Sequence, residues 1–456
     1  MELNSNFQSM ADLNESRWRP LNWAGNQLRK LFNSRGYKFI DPPILESSDL
    51  FLRAGGGEMA NRMYSFIDPG GNHISMRPEF TSSIVRHSID SDSSTLLPFR
   101  IQYQGPVFQY AVGKVETQSH QAGVELIGSG SPEADAEIIA LGCFGLSSLG
   151  LKRSCLVLSD LGLYNELLLA QGLSERGCLF VLSQLGLLKK GRDFLGKVKE
   201  DARKFGLVSD NNDTVQDYAW LGDINEPEAR SLVIRFLNQE QLFHLGQRGP
   251  SEVADRLLRK LRGERDGSKM DMSLEFTSHL ALIRGEPNVA MAQAKELMKD
   301  YRFASSSLDR LRRVLDLVPP DSISGTRLVV DFGLARGIAY YSGIVFEMMS
   351  PDLGMSLGGG GRYDNLASAL GSPTKVPALG FAYNLEQILS ELKRGDHYPE
   401  MPRFGAQNSI LVVPSNHHVY PIAVIVAQEL RVGDTQVEVE VCDRPMEDSL
   451  AYARAK

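Results

Sequence analysis

ARGIAYYSGIVFE, residues 335–347, is the stretch whose reading decides the fold. Its second half runs on as GIVFEMM (343–349), β-branched and aromatic enough for a strand. Its first half places a guanidinium and two phenols, Arg336, Tyr340 and Tyr341, where such a strand would otherwise be apolar. Three other segments share this feature: RPEFT (77–81), HQAGVELIG (120–128) and GGGGRYD (358–364). Singly, each has a plain reading. Arg336 can pack on tyrosine faces. Arg77 with Glu79 can be a surface ion pair of little energetic consequence. Gln121 and Glu125 can be the solvent side of a strand edge, and LGGGG can be a flexible turn, since glycine reaches positive φ freely.

Outward from these segments, the pattern is that of an α+β fold, an antiparallel sheet with helices against it. Trp18, Leu21, Leu28, Leu31 and Phe32 recur at helical spacing before Gly36. In YKFIDPPILESSDLF (37–51), Pro42 and Pro43 forbid a helix interior and predict an edge or interface strand. Residues 51–71 read as loop, ending in the turn DPGG. Strands are predicted at Ile74–Met76, Phe99–Gln104 and Gly123–Ile127, and a helix after Ser131-Pro132-Glu133. From about residue 160 to Pro319-Pro320, leucines and charges repeat at helical spacing, as in Leu308, Leu311, Leu315 and Val318. The basic clusters there, KKGRDFLGKVK (189–199) and RLLRKLRGERDGSK (256–269), read as solvated helix faces. The expected division is a core over 1–159 and 321–396, a mainly helical insertion over 160–320, a linker over 397–408, and a small α/β unit over 408–456.

Composition narrows the function classes. The 456 residues are 42% hydrophobic and 23% charged, enough for a sizeable core. A net charge of -7 supplies no global basic field for nucleic acid, so tRNA is not expected as a partner. The four cysteines form no C-x-x-C pair and sit at no metal-ligand spacing with histidines, which predicts no metal and reduced thiols. No apolar run reaches the roughly 18 residues of a membrane span, and the polar start MELNSNFQSMADLNESRW is unlike a secretory leader. A cytoplasmic protein without a membrane partner is expected.

Together and in this order, the four segments resemble the catalytic core of histidyl-tRNA synthetase, a class II aminoacyl-tRNA synthetase. GYKFIDPPILESSDLF is similar to the first class II motif, with its proline at Pro43. FRIQYQGPVFQY and HQAGVELIG resemble the second motif and the strand after it. ARGIAYYSGIVFE resembles the histidine signature R-G-L-D-Y-Y, and PALGFAYNLEQI the third motif. The resemblance spans about residues 10–395, and the C-terminal unit resembles the start of the family's anticodon-binding domain.

The resemblance implies a pocket for free histidine. Such a pocket must offer acceptors to the ammonium, a cation to the carboxylate and a partner that fixes the imidazole tautomer. By this likeness Glu79 and Thr81 face the amino group, Gln121 and Glu125 position the ligand and its ring, Arg336 faces the carboxylate, and Tyr340, Tyr341 and Tyr363 complete the wall. The ATP half departs from the family pattern. Gln109 stands where an arginine follows G-P-x-F, Ala111 where a glutamate falls, and Gln387 where the third motif ends in arginine; Ala339 replaces the aspartate of R-G-L-D-Y-Y. Activation chemistry is therefore expected to be crippled unless Lys114 or Arg362 substitutes, with no catalytic residues and no cofactor.

A histidine pocket without ATP chemistry resembles the regulatory subunits of ATP phosphoribosyltransferase, and QAGVELIG fits that branch. This likeness implies a homodimeric, non-catalytic subunit of a hetero-oligomer. Its partner would be a short-form ATP phosphoribosyltransferase catalytic subunit, and its ligand L-histidine in feedback on histidine biosynthesis. The alternative is a histidine–tRNA ligase. A third reading, a sensor of uncharged tRNA, has the basic clusters in its favour and the net charge against it.

Overall fold

The computed structural model describes residues 12–90, 97–110, 117–191, 193–208, 224–239, 254, 258, 269–334, 336, 340–352, 354–395, 409–432, 435–442 and 444–455. The chain forms two compact units, residues 1–398 and 399–456. The strands in chain order are β1 (Lys38–Phe39), β2 (Leu45–Ser47), β3 (Ser65–Ile67), β4 (His73–Met76), β5 (Phe99–Phe108), β6 (Gln118–Ile127), β7 (Ser154–Asp160), β8 (Arg284–Gly285), β9 (Thr326–Asp331), β10 (Ile344–Met349), β11 (Ser356–Arg362), β12 (Ala378–Asn384), β13 (Ser409–Val412) and β14 (Gln436–Val439).

Among the described residues the larger unit carries a nine-stranded sheet of order β1-β5-β6-β12-β11-β10-β7-β9-β8. The run from β5 to β7 is antiparallel throughout, while β1 joins β5 and β9 joins β7 in parallel. A small sheet of order β2-β4-β3 lies beside it in sequence. The period of two along β6 sorts its side chains. Ala122, Val124 and Leu126 join the main core with Leu21, Leu28 and Phe32 of helix Glu15–Asn33 and with Ile138 and Ile139 of helix Pro132–Ser148. The alternate residue Ile127 joins a second cluster with Phe80, Ile84, Tyr103 and Tyr363. Glu125 shares that second face, so the fold carries a carboxyl into an otherwise apolar layer.

Local signals explain most elements. Ser131 accepts from the Ala134 amide, Pro132 opens the helix, and Glu133 and Asp135 occupy its positive first turn. Asn384 caps helix Leu385–Arg394 in the same way, accepting from the Gln387 amide at 3.0 Å. The chain leaves helix Glu15–Asn33 through Gly36 at φ +81°.

Three expectations are corrected. The segment LGGGG is no turn but the interior of β11, buried between β10 and β12. Glycine is needed there for close approach: a Cβ on Gly360 would lie 1.8 Å from the Gly380 carbonyl oxygen, and one on Gly359 1.8 Å from an Arg336 nitrogen. The start of the supposed loop 51–71 belongs to helix Ser48–Ala60, although three of its residues are consecutive glycines. Arg77 does not pair with Glu79. It is buried, donates to the carbonyls of Pro42 at 2.6 Å and Pro106 at 2.9 Å, lies over the Phe80 ring, and meets Asp41 at 3.4 Å. Arg77→Met would leave both carbonyls without their donor at roughly 1–3 kcal/mol each. A loss of unfolding free energy of that size, read from a lower urea midpoint at unchanged slope, is the expected outcome.

In the stretch after β7, helices Leu161–Ala170, Glu175–Ser183 and Asp193–Lys204 build a core of their own around Leu168, Leu173, Val181, Leu188, Val198 and Leu274. Helices Pro287–Asp300 and Ser306–Leu317 return to the main core through Ala290, Ala294, Leu308 and Leu311. In the smaller unit β13 and β14 pair in parallel, with helix Tyr420–Leu430 between them in sequence and helix Met446–Ala455 after them. The linker and almost all of the second basic cluster lie outside the described residues. All four cysteines are free. No described helix is long and apolar enough to cross a membrane.

Candidate functional site

Two carboxyl groups lie close together inside the second cluster. Glu79 closes the turn before helix Thr81–Asp90, its oxygens accepting from the Ser82 amide at 3.1 and 3.2 Å. Glu125 reaches in from β6 and is 1% exposed. Hydroxyls supply all of its described hydrogen bonds. Thr81 Oγ1 donates to Oε1 at 2.8 Å, Tyr103 Oη to the same oxygen at 3.0 Å, and Tyr363 Oη to Oε2. None of these partners carries a positive charge. Burial therefore pushes the Glu125 carboxyl up to about 8, against the lowering effect of the three hydroxyls and with a further push from Glu79. Burial likewise raises Glu79 above the usual carboxylate range. The expectation that Glu125 lines a solvent edge does not hold; it is the inward residue of a central strand.

The space around Glu125 exists because its neighbours lack side chains. Gly380 lies opposite it on β12, where a Cβ would meet Glu125 Oε2 at 1.7 Å and the Val124 carbonyl at 2.4 Å. Gly380→Ala is expected to cost about 1–3 kcal/mol by overpacking and to displace the carboxyl. A thermal melt checks the first effect, and the pH dependence discussed below checks the second.

Tyr340, Tyr341 and Tyr363 stand edge to face, with centroids 5.1 Å apart for the first pair and 5.6 Å for Tyr340 and Tyr363. Glu79 and Glu125 both raise the Tyr340 and Tyr341 phenols after burial does, which places the aromatic cluster beside the carboxyls. Arg336 lies next to Tyr341, whose phenol its charge lowers. Its Nη1 donates to the Phe346 carbonyl at 3.2 Å and lies 3.7 Å from Glu347, while its buried Nε has no partner among the described residues. Gln121 is half-buried, four residues before Glu125 on the same face of β6 and opposite Gly105 and Asn384. Glu79, Thr81, Glu125, Tyr340, Tyr341 and Tyr363 are thus gathered round one place, with Arg336 at its edge and Gln121 along the strand. Tyr103 was missed in the sequence. Its only local signal is the polar-aromatic alternation RIQYQ, and it stacks on Phe80 with centroids 4.5 Å apart.

The neighbouring positions that depart from the family pattern are otherwise occupied. Gln109 Nε2 donates to the Pro78 carbonyl at 2.8 Å. Gln387 is half-buried in the first turn of helix Leu385–Arg394, and Glu386 beside it accepts from the His120 amide at 2.9 and 3.0 Å and meets His120 Nδ1 at 2.8 Å. Arg362 does not reach over as a substitute. Its Nε donates to Asp135 at 2.9 Å, and its Nη1 to the Ser129 carbonyl and Asp364, each at 3.0 Å. Arg100 is held by Glu137 at 2.8 and 2.9 Å. Ala111, Lys114 and Ala339 lie outside the described residues. No cluster able to hold a metal ion occurs among the described residues.

Comparison with known proteins places the chain. The profile described as Histidyl-tRNA synthetase matches residues 9–185 and 249–388. The histidine–tRNA ligase of Pyrococcus horikoshii is 30% identical over 440 residues, covering 94% of this chain and 84% of its own. That of Pyrococcus furiosus is 29% identical over 440 residues with the same coverage. A solved structure described as an ATP phosphoribosyltransferase regulatory subunit/histidyl-tRNA synthetase from Bacillus halodurans C superposes with a TM-score of 0.65 at 19% identity, covering 99% of this chain and 97% of its own. The histidyl-tRNA synthetase from Nostoc sp. PCC 7120 gives 0.60 at 17% identity, covering 100% and 90%. The structural likenesses show the α+β, class II aminoacyl-tRNA synthetase-like fold. By the profile match over most of its length, and by the sequence relatives, the chain belongs to the histidyl-tRNA synthetase family.

Proposed function

We propose that this protein binds free histidine without activating it, and serves as the regulatory subunit of a short-form ATP phosphoribosyltransferase. One observation carries the reading. Two buried carboxyls, Glu79 and Glu125, cluster with Tyr340, Tyr341, Tyr363 and Arg336, while Gln109 and Gln387 stand where the family likeness would put phosphate-binding arginines. An ammonium placed between Glu79 and Glu125 would supply the positive charge that neither carboxyl now has. The imidazole is placed among Tyr340, Tyr341 and Tyr363, and the Arg336 Nε, which has no partner among the described residues, suits the carboxylate. A set of charge-assisted hydrogen bonds at roughly 1.5–3 kcal/mol each supports micromolar to millimolar affinity.

Feedback then follows from linkage: histidine inhibits to the extent that it binds two states of the complex with different affinity. The exposed Ile44, Leu45, Leu52, Phe66 and Ile67 around the small sheet support a homodimer through the first motif. The composition and the family suit the cytoplasm.

The deciding experiment mixes the purified chain with a short-form phosphoribosyltransferase. Turnover is expected to rise on mixing and fall when histidine is added; unchanged turnover in both steps would count against the regulatory role. A second reading, a histidine–tRNA ligase, is favoured by the sequence relatives, which are named as ligases at 29% and 30% identity. Histidine-dependent aminoacylation of tRNA by the chain alone would establish it. The structural relative whose description names both activities accords with either reading.

A further inference from the structure

A cavity of about 540 Å³ opens where β7 ends and helix Ser306–Leu317 begins. Asp160, Glu166, Ser307, Arg310, Ser342 and Asp364 are among its walls. Ser342 directly follows Tyr341 and Asp364 directly follows Tyr363, so two of its walls belong to segments that also carry tyrosines of the proposed histidine site.

Most charges here are already matched. Arg310 and Arg362 share Asp135, with Nε donors at 3.1 and 2.9 Å, and Arg362 also holds Asp364. Arg313 pairs with Glu133 at 2.6 Å. Glu166 accepts from Ser305 at 2.6 Å and from the hydroxyls of Ser306 and Ser307. Asp160 is the buried carboxyl that is not matched. It is 1% exposed, and its Oδ1 caps the next helix through the Gly162 amide at 2.8 Å. Its Oδ2 has no hydrogen-bond partner among the described residues. Burial, aided by Asp135 and Glu166, pushes this carboxyl up to about 7. A buried acceptor left unmatched costs free energy that a ligand donor recovers.

We propose that this cavity binds a small organic cation through a primary ammonium seated on Asp160. Three N–H donors suit the orphan oxygen together with the Glu166 carboxylate and the Ser307 hydroxyl. An anion is disfavoured because the nearby guanidiniums are held in ion pairs, with Arg362 Nη2 itself 2.8 Å from Asp135, while Asp160 and Glu166 would repel it. A metal ion is disfavoured because no cluster able to hold one is found among the described residues. The proposal does not rest on the histidine reading, and failure of histidine to bind would leave it untouched.

The test is calorimetric titration of the full chain with ethylammonium chloride, and with tetramethylammonium chloride as a cation without N–H donors. Saturable binding of ethylammonium and none of tetramethylammonium is expected. Asp160→Asn keeps an equally good helix cap, so the fold should survive. It should weaken ethylammonium by at least about tenfold, the loss of one charge-assisted hydrogen bond, while Glu125→Gln leaves it unchanged. Absence of saturation, equal binding of the two cations, or loss in Glu125→Gln with retention in Asp160→Asn would each overturn the proposal. Should Asp160→Asn fail to fold, the two-cation comparison on Glu125→Gln, which weakens the other ammonium site proposed above, still decides.

Discussion

Histidine-dependent exchange of labelled pyrophosphate into ATP is expected to run at least about 10²–10³-fold slower in this protein than in an active ligase of its family. Loss of a single donor to a developing oxyanion has an effect of that order, and on the proposed reading Gln109 and Gln387 stand at two arginine positions. The two losses act on one transferring group and need not multiply, so the lower figure is the safe one. The structure removes the nearest described substitutes. Gln109 spends its amide donor on the Pro78 carbonyl. Arg362 is divided among Asp135, Ser129 and Asp364, and Arg100 is bound to Glu137. Exchange within about tenfold of an active ligase would mean that cations outside the described residues, Lys114 first among them, complete the site. The regulatory reading would then give way to the ligase.

The second large effect belongs to Glu125, where binding and stability should move in opposite directions. Its carboxyl is pushed up to about 8 in the folded protein by burial beside Glu79, against about 4.3 in an unfolded chain. Between those values the folded state keeps a proton that the unfolded state has released. The stability contributed by this group is therefore complete below the unfolded value and is lost as pH rises towards 8. The slope is at most about 1.4 kcal/mol per pH unit. Glu125→Gln, which cannot ionise, should flatten that part of the profile and make the ligand-free protein more stable at pH 8. Glu79 and Asp160 are also raised by burial and contribute to the total slope, so the difference between the two proteins is the quantity to measure. The same substitution should weaken histidine by roughly 10- to 150-fold, the loss of one charge-assisted hydrogen bond. Urea titrations from pH 5 to pH 8 and calorimetry at pH 7.5 check both halves. Unchanged histidine affinity would remove Glu125 from the site, and an unchanged stability profile would mean that water or a cation reaches it.

The Asp135 network was hidden from the sequence because its members are far apart. Asp135, Arg310 and Arg362 lie in different elements and meet only when helix Ser306–Leu317 packs beside helix Pro132–Ser148. Nothing local distinguishes Arg362 of GGGGRYD from a free phosphate-binding cation; its commitment to a buried carboxylate does. Gly359, Gly360 and Gly380 were ambiguous for a related reason. A glycine that permits a turn and a glycine that permits contact between neighbouring strands are the same letter, and only the register of β11 against β10 and β12 separates them. Tyr103 escaped because its role depends on the stacking with Phe80 and on the antiparallel partner strand that carries Glu125.

The sequence by itself determined which side chains are available and where most strands and caps fall. Those are properties of residue type and spacing, which need no partner to be read. Only the tertiary structure decided that Glu125 is buried without a cation, that Arg77 supports a turn and does not pair with Glu79, and that Arg362 is spent on Asp135. Each of these depends on desolvation and on contacts between distant segments, and both arise only when the sheet and its helices close over the same space.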